Sequence, residues 1–412
     1  MALRNRATLY RQLLDSWTRL APSSNSCDPS TGAFTGATLN RISPQRSNPA
    51  LLQQLFSSPR AQFLLFRGSN TVSAAESGHT LGYFGASDIL TWFANPFDGP
   101  GSHEPKVVLK DWVLLGIDDA EHPTGDSYLA VDLPAYYANQ PVYWAIDVNP
   151  VYQAQEEGPL KNTAQLLDTA MQQGNYRFSE ARSVAFHFNA MDSTLFAQAS
   201  AMVDWNHRNR YCPSCGRLTV SKEAGYKRIC PPDEVSGEIT GQDAKPPCVN
   251  RRGIHNSAYP RTDPVVIVCV LSPDRSRILL GRKVSFPTRW YTCVAGFVEP
   301  GETLEAAVRR EVLEETGVAV GPVLYFGNQP WPFPNNLMVG FYAQATSERV
   351  VLEDTELEDA QWFTREDVQA AIAKYTPTDI SEAAPTELRL APPYSIAHQL
   401  IRHWAVEYET SL

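Results

Sequence analysis

The chain has 412 residues and a formal net charge of −10, with 43% hydrophobic and 19% charged residues. This length predicts two or three domains, and no apolar run approaches the roughly 18 residues that span a membrane. The acidic balance excludes broad adhesion to nucleic acid, because such binding needs Lys and Arg to neutralise phosphates. An acidic protein that acts on a polyanion would instead need metal cations at its site.

Residues 1–50 are predicted to form a helix followed by a loop rich in Ser, Pro, Asn and Gly. The first 26 residues carry four arginines against one acidic residue, with apolar residues at helical spacing. This pattern is typical of a surface helix or of a mitochondrial presequence. At the other end, Ser411 and Leu412 partly match a peroxisomal address. The compartment stays open between the cytoplasm, the peroxisome and the mitochondrion.

Residues 51–205 are predicted to form an α+β domain, because short β-type runs alternate with turn-forming residues and helical segments. The motifs of this region carry no obvious chemistry. The predicted elements are strands at 62–66, 107–117 and 142–148 and helices at 163–173 and 183–204.

Four cysteines crowd the next region, residues 206–258. Cys212 and Cys215 are separated by two residues and followed by a glycine, which lets both thiolates bind one tetrahedral Zn²⁺. Cys230 and Cys248 would complete the site across an insertion rich in Pro, Gly and Asp, since the cost of closing a loop grows slowly with its length. The alternative is a set of reduced, buried or redox cysteines. Four protein ligands would leave no open position for water, so this zinc would be structural.

Residues 259–412 are predicted to form an α/β/α-like unit. Strands at 265–271 and 278–280 flank a turn and precede a glycine-rich loop and a helix. The helix is predicted near Leu304 to Thr316, because Thr303 can cap its start and Gly317 can end it in the left-handed conformation.

Two acidic residues of this helix fall on its apolar stripe. At roughly 100° per residue, Glu311 and Glu315 project in line with Leu304 and Val308, while Glu314 lies about 60° from Glu311. A solvated charged face would place the acids on the opposite side. Neighbouring carboxylates that face a sheet repel one another and lose hydration, so their placement predicts bound cations.

Mg²⁺ is the expected cation, because it prefers oxygen ligands and bridges to substrate phosphates. Two or three ions, Mg²⁺ or Mn²⁺, are expected to neutralise a diphosphate and acidify the attacking water. Glu311 is the predicted metal ligand and Glu315 the predicted general base or metal ligand. Arg310 is expected to orient Glu302 or Glu314 through a bidentate pair.

The stretch from Gly296 to Val318 resembles the Nudix box, because the spacing G-x5-E-x7-R-E-U-x-E-E-x-G-U is met at every position. The resemblance implies hydrolysis of a nucleoside diphosphate linked to another moiety, with the helix held against the mixed sheet of an α/β/α Nudix sandwich. The acids Glu311, Glu314 and Glu315 and the arginine Arg310 are the implied catalytic set.

A second stretch, Gln329 to Met338, resembles the S-Q-P-W-P-F-P-x-S-L-M signature of the NADH pyrophosphatase branch. The order of an N-terminal Nudix-like α+β domain, a zinc ribbon and a Nudix domain is also that of this branch, so the fold class is multidomain α+β. Three prolines predict a rigid extended loop whose aromatic rings offer flat faces to a base. The implied substrate contacts in this loop are Gln329, Pro330, Trp331, Pro332, Phe333, Pro334, Asn335 and Asn336.

The same resemblance implies further site residues. Glu356 matches a third metal-ligating acid beyond the box, with Glu358 and Asp354 as alternatives if the strand register slips. The implied metal ligands are Glu311, Glu315, Glu356 and the backbone carbonyl of Ala295. The implied substrate contacts are Tyr259, Ala397 and Phe297, the last as a ring-stacking residue supplied by the partner in a homodimer.

The leading functional hypothesis is hydrolysis of NADH, and less well NAD⁺, to the nicotinamide mononucleotide and AMP. One alternative is removal of NAD caps from RNA 5′ ends, for which a basic exit path is needed. Its candidate residues are Lys222, Lys227, Arg228, Arg251 and Arg252. Another alternative is a non-catalytic nucleotide sensor with a zinc ribbon.

Overall fold

A computed structural model describes residues 33–35, 39–97, 109, 111–118, 136–137, 139–154, 158–230, 248, 250, 259–352, 356–374 and 387–407. The contacts divide the chain into two units. The N-terminal unit comprises Gly36–Arg261 and Pro332–Asn335, and the C-terminal unit comprises Met1–Thr35, Thr262–Trp331 and Asn336–Leu412. No described helix is both long enough and apolar enough to span a bilayer.

The N-terminal unit is an α+β fold, as predicted. Seven of its described strands form one sheet in the order β1-β5-β6-β2-β3-β7, with β4 paired to β2. Strands β2 and β6 are parallel, and the other pairs are antiparallel. The strands are β1 (Leu39–Asn40), β2 (Ala61–Arg67), β3 (Asn70–Ala74), β4 (Phe84–Gly85), β5 (Trp112–Asp118), β6 (Val142–Asp147) and β7 (Tyr176–Glu180).

Helices pack on this sheet around an aromatic core that includes Phe56, Phe63 and Trp144. The helices are α1 (Pro49–Phe56), α2 (Ala86–Trp92), α3 (Asn149–Tyr152), α4 (Pro159–Gln173), α5 (Ala181–Val184) and α6 (Ala190–Arg208). The prediction of one helix over 183–204 is wrong at its N-terminal end, because α5 and α6 are separate helices. The Asn189 side chain accepts a hydrogen bond from Asp192 N at 2.9 Å and so caps the start of α6.

The described part of the cysteine region lies within the N-terminal unit. Its hairpin joins β8 (Val220–Lys222) to β9 (Lys227–Ile229). Arg228, which is 4% exposed, forms an ion pair with Asp111 at 2.7 Å. Strand β1, which precedes the predicted boundary at residue 50, pairs with β5 of the same sheet.

The C-terminal unit is the predicted α/β/α sandwich. Its sheet has the order β14-β15-β10-β11-β16, with β13 paired to β10, and β10 and β15 are parallel. The strands are β10 (Asp263–Leu271), β11 (Arg277–Arg282), β12 (Trp290–Tyr291), β13 (Val294–Phe297), β14 (Val320–Trp331), β15 (Asn336–Ala345), β16 (Asp359–Thr364) and β17 (Arg389–Leu390). The helices are α7 (Leu304–Thr316), α8 (Arg365–Ala373) and α9 (Ile396–Arg402), and a π-helical turn covers His403–Glu407.

Successive side chains of β10 pack on opposite faces of the sheet, which explains the helix layers of this sandwich. Val266 and Val268 pack with Val308 of α7 in one core cluster. Ile267 packs with Leu400 of α9 in the other. Because successive strand residues point to opposite faces, one apolar strand supports helices on both sides.

The Gln329–Met338 segment is the end of a hairpin and not the predicted extended loop. Gln329 pairs with Met338 and Trp331 with Asn336 across β14 and β15. Only residues 332–335 form the connection, and these belong to the N-terminal unit.

Candidate active site

The carboxylate helix begins and ends where the sequence predicts. Thr303 Oγ1 accepts a hydrogen bond from Ala306 N at 3.2 Å, and Gly317 adopts φ 69°. A Cβ at Gly317 would lie 2.9 Å from Val351 O, so the residue at this stop is restricted to glycine by both backbone angle and space.

The acids of the helix divide between its two faces, as predicted. Glu315 is only 3% exposed, and the side chain of Glu311 is 12% exposed, whereas that of Glu314 is 54% exposed. Burial raises the pKa of Glu311, and the charges of Glu314 and Glu356 act in the same direction. The inward acids therefore favour a nearby positive charge.

Gly296 makes room for one of these acids. A Cβ at this position would lie 1.9 Å from Glu311 Cδ. The first glycine of the box is thus required because the Glu311 carboxylate lies directly against the backbone of β13. Ala295, the candidate carbonyl ligand, precedes this glycine on the same strand.

Arg310 holds the outer part of the site together. It makes the predicted bidentate pair with Glu302, with Nε to Oε1 at 2.7 Å and Nη2 to Oε2 at 2.9 Å. Its Nη1 also donates to Glu311 at 2.8 Å and to Glu314 at 3.0 Å, and its Nη2 donates to Phe297 O at 2.8 Å. The Arg310 guanidinium lowers the pKa of Glu302 to about 2. Arg310 and Glu302 therefore position the acids.

Glu356 lies within the electrostatic reach of Glu311, as the third acid should. It forms an ion pair with Lys283, a residue that the sequence reasoning missed because only strand pairing brings the two together. Glu358 pairs with Arg282 instead, and Asp354 lies outside the described residues.

These residues fit a hard divalent cation. The candidate donors are oxygens of Glu311, Glu315 and Glu356 and the carbonyl of Ala295 on β13, and such ligands suit Mg²⁺. Within the described part of the chain, these carboxylates do not form a group as compact as the four cysteines.

The side chain of Gln329 is buried and hydrogen-bonded within the C-terminal unit. It is 2% exposed. Its Nε2 donates to Ala33 O at 3.0 Å and to Tyr394 O at 2.7 Å, and its Oε1 accepts from Ile396 N at 2.8 Å. The amide thus fixes the end of β14 to the segment that leads into Ala397.

The other implied substrate contacts are distributed over both units. In the C-terminal unit, Phe297 is 57% exposed and Ala397 is 3% exposed. Trp331 meets Phe34 edge to face at 6.0 Å. The half-buried Pro330 and Asn336 lie in β14 and β15.

In the N-terminal unit, the ring of Phe333 contacts Phe186 at 5.7 Å and Phe196 at 6.3 Å. Asn335 donates to Arg261 O, and Lys227 lies 5.1 Å from the ring centre of Tyr259. Pro332 is buried, and Pro334 is exposed. Phe333 therefore packs within this unit and does not offer the free flat face that the sequence predicted.

The four cysteines come together as predicted. Their Sγ atoms all lie within 4.8 Å of one another, with Cys212 and Cys248 3.7 Å apart and Cys215 and Cys230 3.6 Å apart. A tetrahedral Zn²⁺ with bonds of about 2.3 Å places its sulfurs about 3.8 Å apart. The spacing therefore fits a closed zinc site, and Cys248 completes it.

The thiols of this site differ in acidity. Burial raises the pKa of Cys230 and Cys248. Burial also acts on Cys212, but hydrogen bonds from Cys230 and from the backbone of Ser214 and Cys215 lower its pKa to about 6. A thiolate is the form that binds metal, and a bound Zn²⁺ would favour the thiolate of all four cysteines.

The predicted basic exit path is only partly supported. Arg228 is buried and structural, since it donates to Asn206 at 3.0 Å and to Thr219 at 2.7 Å besides its pair with Asp111. Arg251 and Arg252 lie outside the described residues.

Comparison with known proteins agrees with this architecture. The NUDIX domain profile matches residues 261–382, and the NADH pyrophosphatase zinc ribbon domain profile matches residues 207–235.

Among curated relatives, the chain is similar to the NAD-capped RNA hydrolase NUDT12 of Homo sapiens, with 34% identity over 382 residues that cover 90% of this chain and 72% of the relative. It is also similar to an NAD-capped RNA hydrolase of Schizosaccharomyces pombe, with 32% identity over 390 residues that cover 91% and 93%. A third relative is the NAD-capped RNA hydrolase NudC of Mycobacterium bovis, with 38% identity over 214 residues that cover 52% and 60%. The chain belongs to the Nudix hydrolase family, in the group whose members carry the NADH pyrophosphatase zinc ribbon.

Proposed function

We propose that the chain hydrolyses the diphosphate of NADH, and of NAD⁺, to the nicotinamide mononucleotide and AMP. The observation that carries this proposal is the inward pair Glu311 and Glu315 on a complete box, with the Glu311 carboxylate lying against β13 where Gly296 has no side chain. The relatives named as NAD-capped RNA hydrolases support the choice of an NAD-containing substrate.

Each residue has a part in the proposed reaction. Glu311, Glu315, Glu356 and the Ala295 carbonyl would hold Mg²⁺ or Mn²⁺, which supplies charge neutralisation of the diphosphate and an acidified water. Glu315 is assigned to take the proton of the attacking water, because its buried carboxylate lies on the inward stripe of the helix with the candidate metal ligand Glu311. Arg310 keeps Glu302, Glu311 and Glu314 in place. Phe297, whose ring is exposed, would stack on a base in a homodimer.

Removal of NAD caps from RNA is the second candidate function, and it uses the same hydrolysis. Three relatives from a mammal, a yeast and a bacterium are named for it. An RNA substrate needs cationic side chains along its path, and Lys222 and Lys227 are available in the N-terminal unit.

Product analysis by chromatography tests both candidates. NADH, NAD⁺, ADP-ribose and an NAD-capped RNA oligonucleotide are incubated with the full chain, with Mg²⁺ and with EDTA. The expected products are AMP and a nicotinamide mononucleotide from NADH, and a 5′-monophosphorylated RNA from the capped oligonucleotide, both only with Mg²⁺. Much faster cleavage of ADP-ribose than of NADH would contradict the proposed substrate.

A further inference from the structure

A cavity of about 560 Å³ lies in the N-terminal unit, remote in sequence from the Nudix box. Its wall comes from residues 46–52 at the start of α1, from 96–97 and Trp112, and from the hairpin residues 221–229 that lead into Cys230. The volume is in the range of small-molecule sites, which is about 300–1,000 Å³.

The lining of this cavity has an apolar part, here called the floor, and a charged part, here called the rim. The floor comprises Leu52 and Trp112, which are 4% and 3% exposed, and the half-buried Phe97. The rim carries Arg46, Lys222 and Lys227, against one acidic residue, Glu223. The three cations and one acid leave a net charge of +2 in a chain whose total is −10, so the rim favours an anion.

Arg46 is a fixed cation at this rim. It is 8% exposed, its Nε donates to Arg41 O at 3.0 Å, and its guanidinium carbon lies 3.5 Å from the ring centre of Tyr226. A guanidinium held in this way offers its remaining N–H groups to a ligand at little entropic cost.

The two lysines differ in their availability. Lys227 pairs with Glu223 at 3.2 Å, which offsets part of its charge. Lys222 is exposed and has no ion-pair partner among the described residues. Lys222 is therefore the cation most able to bind a phosphate and the one whose replacement disturbs the fold least.

The hairpin turn at the rim is held in an unusual backbone conformation. Glu223 and Ala224 both have φ of 51°, and Gly225 has φ of 96°. A Cβ at Gly225 would lie 2.7 Å from Trp112 O, so the turn is pressed against β5. Non-glycine residues at positive φ are retained where surrounding packing over-determines them, and such positions cluster at ligand sites.

We propose that this cavity binds a nucleoside monophosphate unit, with the base on the apolar floor and the phosphate at Arg46 and Lys222. The charge excludes a metal cation as the ligand, and the apolar floor gives a planar base a surface that a bare phosphate would leave unused. The unit could come from free AMP or from a nucleotide of an RNA chain. For an RNA source, this inference rests on the second candidate function, which uses Lys222 and Lys227 for the RNA path. For free AMP, it is independent of the proposed hydrolysis.

Photo-crosslinking tests the proposal on the full chain. The probes are 8-azido-AMP and a 5′-monophosphorylated RNA hexamer that contains 4-thiouridine, and crosslinked peptides are mapped by mass spectrometry. Crosslinks are expected on the peptides that hold Phe97, Trp112 or Tyr226, which are distinct from the box and from Gln329–Met338. Labelling by both probes identifies a free mononucleotide site, and labelling by the RNA alone identifies an RNA site.

Two charge-reversal variants test whether crosslinking depends on the cavity cation Lys222. Lys222→Glu should reduce crosslinking in the cavity about tenfold, because it replaces a phosphate-binding cation by a repelling charge. Arg208→Glu is the matched control, since Arg208 is exposed in the same unit and does not line the cavity, and it should leave crosslinking unchanged. Thermal unfolding confirms that both variants fold. The proposal is overturned if neither probe labels the cavity peptides, or if Lys222→Glu labels them as well as the original chain.

Discussion

The two candidate metal sites of this molecule differ in how their ligands are held. The four cysteines of the zinc site lie within 4.8 Å of one another, so the protein alone can complete a tetrahedron. Two acids of the candidate Mg²⁺ site are instead paired with protein cations, Glu311 with Arg310 and Glu356 with Lys283. A closed site can only support the fold, whereas an open set of carboxylates leaves positions for water and substrate.

Replacement of Glu315 should have the largest effect on activity. Glu315→Gln keeps the volume of the buried side chain but removes its charge and its capacity to accept a proton. We expect kcat/KM for NADH to fall by about 10²–10⁴-fold at saturating Mg²⁺, a range typical for loss of a general base. Steady-state kinetics with chromatographic detection of AMP measures it.

The matched control for this variant is Glu305→Gln on the same helix. Glu305 is exposed in the first turn, away from the inward stripe. Its replacement should change kcat/KM by less than about twofold, as is usual for surface positions. Equal losses in both variants, or full activity of Glu315→Gln, would remove Glu315 from the reaction.

Disruption of the zinc site should lower the stability of the fold, because this site does not take part in the hydrolysis itself. Cys230→Ser removes one of four thiolate ligands and should reduce bound zinc from about one ion per chain to almost none. Because the β8–β9 hairpin packs on β5 within the same unit, the free energy of unfolding should fall by several kcal/mol. Elemental analysis and thermal unfolding measure the two effects.

Cys293→Ser is the matched control for the zinc prediction. Cys293 is buried in the C-terminal unit and is no member of the cysteine cluster. Unchanged zinc content in Cys230→Ser, or equal zinc loss in both variants, would mean that the four-cysteine site does not hold the metal.

Loss of the buried amide at Gln329 should destabilise the C-terminal unit. Gln329→Leu leaves the carbonyls of Ala33 and Tyr394 and the N–H of Ile396 without this partner. The expected cost is about 1–3 kcal/mol in unfolding free energy, together with a raised KM for NADH. Denaturant unfolding and kinetics measure them.

The neighbouring residue Asn328 gives the control for Gln329. It is exposed, and its amide donates to Tyr325 Oη at 2.8 Å. Asn328→Ala should change the unfolding free energy by less than about 0.5 kcal/mol. If Gln329→Leu is as mild as this control, Gln329 does not position the end of β14.

The smallest expected effect concerns the titration of Glu302. Its pKa in the folded chain is about 2, because Arg310 and the N–H of Glu299 bind the carboxylate. The ordinary value is about 4.3. A depressed pKa stabilises the fold above pH 4.3, and this contribution is lost as pH falls from about 4.3 to 2.

Arg310→Lys should move the pKa of Glu302 back towards its ordinary value, since an ammonium cannot make the bidentate pair. Carboxyl chemical shifts followed by NMR measure this change, and Arg309→Lys serves as the control. A Glu302 pKa that is the same in the two variants would show that Arg310 does not hold this acid.

Local features of the catalytic helix were predictable from the sequence. Thr303 and Gly317 fix its ends, and a period of 3.6 residues places Glu311 and Glu315 inward, so neither depends on distant parts of the chain. The cysteine spacing predicted the zinc ligands for the same reason.

Features that depend on strand pairing were not predictable. Lys283 reaches Glu356 because β11 pairs with β16, and Gln329 is buried because it binds Ala33 and Tyr394, both distant in sequence. Arg228 read as a surface cation but is buried on Asp111. Such pairings are set by the global packing and have no local periodicity to reveal them.

The difference between the two metal sites is tested most directly by one activity measurement. The full chain is dialysed against buffer freed of divalent metals until elemental analysis finds one zinc ion per chain and no other metal, and hydrolysis of NADH is followed as Mg²⁺ is added back. We predict no AMP formation at first and full activity on addition of Mg²⁺, with the zinc content constant throughout. Full activity of the zinc-only protein before Mg²⁺ is added would contradict the assignment of the chemistry to the carboxylate helix.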